Sequence, residues 1–227
     1  MQTFKFPELT AGILRSIVKL NDKGIVPEIW QQMTVPLAEE ERQQIKSIAA
    51  RLLKTRVFPM NEATIWSRAI SPLLMMAEQG QLQIWAKVPL SAKYPRFTLE
   101  GIADGLMGKV ISDGIESPCL VVVQAKLGLE EDYNPIAQLV GEMLAAARLN
   151  WEENRETPQE IFGCCTIRDT WIFLQAMVSE FESDQPVAIV VSSGEYNGKL
   201  EIETIFRILK FITGKRAPQA RCGSVSD

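Results

Sequence analysis

Four consecutive apolar residues, Leu120, Val121, Val122 and Val123, constrain the fold of this chain more than any other feature. Successive side chains on a strand point to opposite faces. A strand made of these residues is apolar on both faces and belongs in the middle of a sheet covered on each side. The flanking sequence supplies the rest of the sheet. Upstream, "QLQIWAKVPL" and, roughly, "RFTLEGIADGLMGKV" alternate as strands, and Asp113-Gly114 marks the turn that leads into "CLVVVQAKL". Downstream, Asn134 and Pro135 open a helix, "PIAQLVGEMLAAARLNWEEN", as cap and first-turn proline. "EIFGCCTI" and "TWIFLQAMV", separated by Arg168-Asp169, read as two more strands. "PVAIVVSS" reads as another, and "LEIETIFRILKFITG" as a closing amphipathic helix. The order predicts an α/β protein, a mixed β-sheet with flanking helices.

Residues 1–60 read as an N-terminal helical extension, peripheral to an α/β domain over residues 61–212. "AGILRSIVKL" is compatible with either helix or strand. "LAEEERQQIKSIAARLLK" reads as a helix, with Pro36 just ahead of it and Glu39, Glu40 and Glu41 at its positive end. Ile45, Ile48, Ala49 and Leu52 share one face of that helix. In "NEATIWSRAISPLLMMAEQG", Asn61 is the expected N-cap and Gly80 the stop. Pro72 must kink or restart that helix, with Ser71 capping the second piece. Trp66, Trp85 and Trp171 fall in patterned segments and are assigned to the core. Residues 213–227 read as a disordered basic tail.

Composition prunes the chemistry. With 227 residues, 46% of them hydrophobic, the chain can bury a full core, and a charged fraction of 23% argues against general disorder. A net charge of −4 argues against a surface coated for DNA while leaving room for local patches. There is no histidine, which excludes Ser-His-Asp and Cys-His triads, histidine zinc sites and histidine general bases. Catalysis must then run on Asp, Glu, Lys, Tyr, Cys or Ser, with a hard cation bound by oxygen. Cys119, Cys164, Cys165 and Cys222 lack zinc-ligand spacing and read as reduced, mostly buried thiols. The start "MQTFKFPELTAG" lacks the regions of a secretion signal, and no apolar run reaches the ~20 residues that span a bilayer. A cytoplasmic protein without a membrane partner is expected. No Gly-rich phosphate loop is present, so no nucleotide cofactor is expected.

The candidate site lies at two strand ends. Asp104 ends one strand-like run, and Gln124 and Lys126 end the next. Side chains two apart on a strand share a face, and hairpin pairing would bring Asp104 to them. A carboxylate, a second oxygen ligand and a lysine at one end of a sheet suit metal-assisted cleavage of a phosphodiester. The plainer alternatives are an Asp-Gly turn at Asp104, with Gly101, Gly105 and Gly108 in a flexible loop, and an edge lysine at Lys126. Arg207, Lys210, Lys215, Arg216 and Arg221 form the clearest basic cluster, either a phosphate contact or a solvated tail.

With "GIADG" and "VVVQAK" in this order and context, the chain resembles the PD-(D/E)XK nuclease superfamily, the restriction-endonuclease-like fold, over roughly residues 60–180. That family has an α-β-β-β-α-β core, with an acid on the second core strand and an (Asp/Glu/Gln)-x-Lys element on the third. The resemblance implies that Glu62, in "NEATIW", adds an acid from the first core helix. It also implies that Gln138 and Glu142, four apart on one helical face, turn towards the site. "FGCCTIRDTWIFLQAM" looks like the strand pairs that trail this core in bacterial members. The implied function is a metal-dependent endonuclease acting on DNA. Asp104, Gln124 and Glu62 would hold Mg²⁺ or Mn²⁺, and Lys126 would orient the attacking water or stabilise the transition state.

The chain departs from the usual pattern in having Gln124 where Asp or Glu is common. Its amide oxygen can bind Mg²⁺, but one charge is missing. At ~4 Å and an effective dielectric of 20, that charge is worth on the order of 4 kcal/mol before desolvation. The substitution and the acidic net charge support an alternative, a catalytically inactive binding or scaffold module on the same fold. A third reading is a structural homo-oligomer paired through its N-terminal helices.

Overall fold

A computed structural model describes residues 1–54, 60–111, 114–124 and 134–216, with the backbone alone for Ser117, Cys119, Val122, Val123, Gln124 and Arg216. The N-terminal segment departs from the helical expectation. It comprises β1 (Gln2–Lys5), α1 (Ala11–Ile17), β2 (Lys19–Ile25), α2 (Pro27–Gln32) and α3 (Glu39–Leu53). β1 pairs in parallel with a later strand, Phe4 opposite Leu99, and β2 with another, Leu20 opposite Ala188. The ambiguous "AGILRSIVKL" is both helix and strand. Thr10 Oγ1 caps α1 by accepting the Ile13 N–H at 3.2 Å, and the chain turns extended at Val18. Phe6, Leu9 and Leu14 are fully or almost fully buried, so this segment supplies core rather than periphery.

The following helix is α4 (Glu62–Ile65), a π-turn over Trp66–Ile70, and α5 (Ser71–Met76). Ser71 does not cap a restart. Its N–H bonds back to the Trp66 carbonyl, and this wide turn accommodates Pro72 within a continuous helical path. The chain continues through β3 (Leu82–Lys93), β4 (Phe97–Ile111), β5 (Gly114–Gln124), α6 (Pro135–Asn154), β6 (Gln159–Ile167), β7 (Thr170–Ser179), β8 (Val187–Asn197) and α7 (Ile202–Arg216). β3, β4 and β5 form an antiparallel meander, and β6 returns parallel to β5 after α6. β6, β7 and β8 are again antiparallel.

These strands make one mixed sheet in the order β1-β4-β5-β6-β7-β8-β2, with β3 on the other edge of β4. β1 and β2 end that path yet are joined only by the short stretch that contains α1, so the sheet curls back towards itself. Arg96 reaches Asp184 at 3.3 Å, and the Gln185 side-chain amide donates to the Ser16 carbonyl at 2.9 Å, across the seam.

The curled sheet surrounds α6. Every residue from Ala137 to Ala147 is buried, as expected for a helix that is apolar all round. On the other face a second layer of α2, α3, α4, α5 and α7 packs Trp30, Ile45, Leu74, Phe206 and Leu209 over Leu120, Phe162 and Phe173. Leu120 belongs to this second core and Val121 to the one around α6, both fully buried. Cys164 and Cys165 divide the same way, both thiols free and pushed above the usual range by burial. Trp171 is core, Trp66 is half-buried, and Trp85 is 40% exposed, against expectation. Among the described residues, no helix is long and apolar enough to cross a membrane.

Candidate active site

Asp104 sits where β4 changes neighbours. One edge of β4 keeps β3 from Thr98 to Lys109. The other pairs with β1 over Phe97–Glu100 and with β5 from Gly105 onward. Asp104 lies in the interval between those two partners, inside a strand rather than in a turn. The glycines read as a flexible loop are also in the strand. At Gly101 the Phe6 ring packs directly over the position a Cβ would take.

Across the β3–β4 ladder, Ala86 pairs with Gly105 and Val88 with Ala103, which brackets Lys87 opposite Asp104. The Lys87 ammonium bonds to Asp104 Oδ1 at 2.6 Å. The Asp104 side chain is 18% exposed and that of Lys87 70%. Lys87 holds a left-handed backbone, φ 57°. Nothing in the composition of "QIWAKV" announces the pair. Counting outward from the Lys93–Phe97 turn would have set the two residues opposite each other.

α6 brings the second carboxylate. Glu142 is completely buried, and the Gln138 amide donates to its Oε1 at 2.7 Å. Its Oε2 has no hydrogen-bond partner among the described residues. Burial pushes the Glu142 carboxyl up to about 8 against the opposing Gln138 hydrogen bond. The Asp104 charge adds to the rise and the Lys87 charge reduces it. Burial, then Asp104 and Glu142, push Cys165 up to about 12. Asp104 and Lys87 therefore lie within electrostatic reach of Glu142, and Asp104 and Glu142 within reach of Cys165. Two glycines permit this approach of α6. A Cβ at Gly141 would overlap the Leu9 side chain, and one at Gly163 on β6 would overlap the Met143 sulfur.

The remaining expected residues are Gln124, Lys126 and Glu62. Gln124 ends β5, its Cα paired with that of Thr166, whose buried Oγ1 also lacks a partner among the described residues. Lys126 lies outside the described residues. Glu62 is the first residue of α4, behind Asn61, whose Oδ1 accepts the Thr64 N–H at 2.9 Å. α4 packs through Ile65 into the layer opposite α6. Among the described residues no group of three or more Cys, Asp or Glu side chains is arranged to hold a metal ion, so Glu62, Asp104 and Glu142 do not form one. What the site does offer is hard oxygen: one carboxylate on β4, and one on α6 with an unpartnered buried oxygen. That donor chemistry fits Mg²⁺ or Mn²⁺, which take oxygen ligands and retain waters.

The basic cluster on α7 is neutralised where it is described. Arg207 bonds to Glu203 and to the Val35 carbonyl, both at 2.8 Å. Lys210 bonds to both Glu41 oxygens, at 2.5 and 2.6 Å, and Lys215 to both Glu160 oxygens at 2.8 Å. These three cations are committed to acids of the same molecule, which weighs against a phosphate-binding stripe. The Arg216 side chain and Arg221 lie outside the described residues. No protein-family model matches this chain, and no curated protein matches it significantly.

Proposed function

We propose that this chain is a metal-dependent nuclease that hydrolyses phosphodiester bonds in DNA, on a restriction-endonuclease-like core. The element order supports the reading: a helix, an antiparallel three-strand meander, a helix, and a strand parallel to the third. The observation that carries it is Glu142 Oε2, buried without a hydrogen-bond partner among the described residues and within electrostatic reach of Asp104, where one edge of β4 changes from β1 to β5.

Asp104 and Glu142, with the Gln124 amide oxygen, would hold the cation, Glu142 taking the place that the resemblance gave to Glu62. Bound there, Mg²⁺ or Mn²⁺ would lower the pKa of a coordinated water and offset charge on the scissile phosphate. Gln138 holds one Glu142 oxygen and would leave the second for the cation. Lys126 orients the attacking water or stabilises the transition-state charge.

A second reading, a catalytically inactive binding module, draws on two facts. Gln124 is neutral, and a Glu142 carboxyl raised to about 8 is mostly protonated at neutral pH. Both reduce the negative charge available to a cation. Cleavage of supercoiled plasmid and single-stranded DNA in Mn²⁺ decides between them, with Asp104→Ala and Lys126→Ala alongside wild type. Loss in both variants supports the nuclease. Equal cutting by all three proteins points to a contaminant, and Mn²⁺ binding without cutting to the binding module.

A further inference from the structure

Resting on that reading, we infer that Lys87 is a resident counter-ion for Asp104: it occupies the carboxylate while no divalent cation is bound, and turns outward to a DNA phosphate when one binds. Three observations carry this. The Lys87 ammonium sits 2.6 Å from Asp104 Oδ1, so lysine and metal would compete for one carboxylate. The lysine reaches inward from solvent, 70% exposed against 18% for its partner, and a pair with so exposed a member is weak enough for a divalent ion to displace. The β3–β4 register keeps Lys87 opposite Asp104, so a displaced ammonium would stay beside the carboxylate and could meet an anionic backbone there.

The backbone adds an independent argument. A φ of 57° is strained for lysine and easy for glycine or asparagine. Strain of this kind is retained where a particular side chain is required and is concentrated at functional sites. A lysine kept merely for a surface ion pair offers no such reason, because exposed pairs contribute little to stability.

The test uses the full chain and four variants, Lys87→Gln, Lys87→Arg, Lys87→Gly and Asp104→Asn. Calorimetry reads Mn²⁺ affinity, and fluorescence anisotropy reads the affinity of a labelled DNA duplex in Ca²⁺. Lys87→Gln is expected to bind Mn²⁺ about fivefold tighter, the upper range for loss of an exposed pair. It is also expected to bind duplex more weakly, with the slope of log affinity against log salt smaller by about one. Lys87→Arg should resemble wild type in both assays, and Lys87→Gly should melt no lower than wild type. Mn²⁺ affinity unchanged or weakened in Lys87→Gln, or unaltered duplex binding, overturns the inference. If Asp104→Asn alone loses Mn²⁺ in that case, the nuclease reading stands without it. Absence of Mn²⁺ binding by wild type at millimolar metal overturns both.

Discussion

The Gln138 amide donates to Glu142 Oε1 at 2.7 Å, and the other oxygen of this fully buried carboxylate has no hydrogen-bond partner among the described residues. A polar atom left this way in the interior costs free energy of folding. Trp30 Nε1, Asn150 Oδ1 and Thr166 Oγ1 share this lack of a partner among the described residues, but Glu142 alone of the four is a carboxyl group.

That carboxylate makes stability depend on pH. Its folded value, about 8, lies above the ordinary value of 4.5, so the folded chain keeps a proton that the unfolded chain releases between those limits. The stabilisation is complete below about pH 4.5 and is lost as pH rises through 8. At 1.36 kcal/mol per unit the loss is on the order of 5 kcal/mol. Urea denaturation at pH 5, 7 and 9 should show wild type weakening across this range and Glu142→Gln much less. Parallel curves would show that Glu142 does not hold its proton.

Metal should stabilise the folded chain through the same two carboxylates. With Mn²⁺ at about a hundred times its dissociation constant, the gain is about 2.7 kcal/mol, or roughly 5–10 °C in melting temperature for a chain of this size. EDTA should reverse it and Asp104→Asn abolish it. An equal rise in Asp104→Asn would place the cation elsewhere.

Gly141 sets how closely α6 approaches the N-terminal segment. Gly141→Ala should destabilise by about 1–3 kcal/mol through overpacking against Leu9. In the Leu9→Ala background the added methyl has room, so the two changes together should cost less than their sum. Simple additivity would mean that the helix relaxes away from Leu9 at no cost.

Glu41 on α3 provides an acid-side contrast. Burial alone would raise its carboxyl, but the Lys210 ammonium and the Ala38 N–H outweigh that and hold it below 4.5. Its contribution is present above the ordinary carboxylate range and disappears as pH falls below it. Glu41→Gln should therefore be less stable than wild type at pH 7, by about 0.5–1 kcal/mol for a half-buried ion pair. The two denaturation midpoints should converge near pH 3. A gap that persists there would assign the effect to packing rather than charge.

The sheet around Leu120 and Val121 was legible because both faces of one strand are apolar, and α6 because Asn134 and Pro135 announce its start. β1 and β2 were not. Each depends on a strand about ninety or more positions away, Phe4 on Leu99 and Leu20 on Ala188, and local periodicity carries no record of such pairing. The polar sequence "KLNDKGI" of β2 fits its place on an outer edge, where alternation is not required. Gln138 and Glu142 read more naturally as a solvated helix face, since carboxylates rarely lie inside. The missed sign was that "PIAQLVGEMLAAARL" is apolar on every side. Lys87 was overlooked because its importance comes from the ladder register and a left-handed backbone, neither of which residue types reveal.

The closure of the sheet by its first two strands bears on when the molecule can assemble during synthesis. β1 and β2 leave the ribosome before the other strands of the sheet, yet β2 lacks its described partner until β8 has been made, more than 160 residues later. Such distant pairing slows folding. Phe4 meets Leu99 before half of the chain is made, whereas Leu20 must wait for Ala188, and a chaperone that shields β2 would gain the chain the most time.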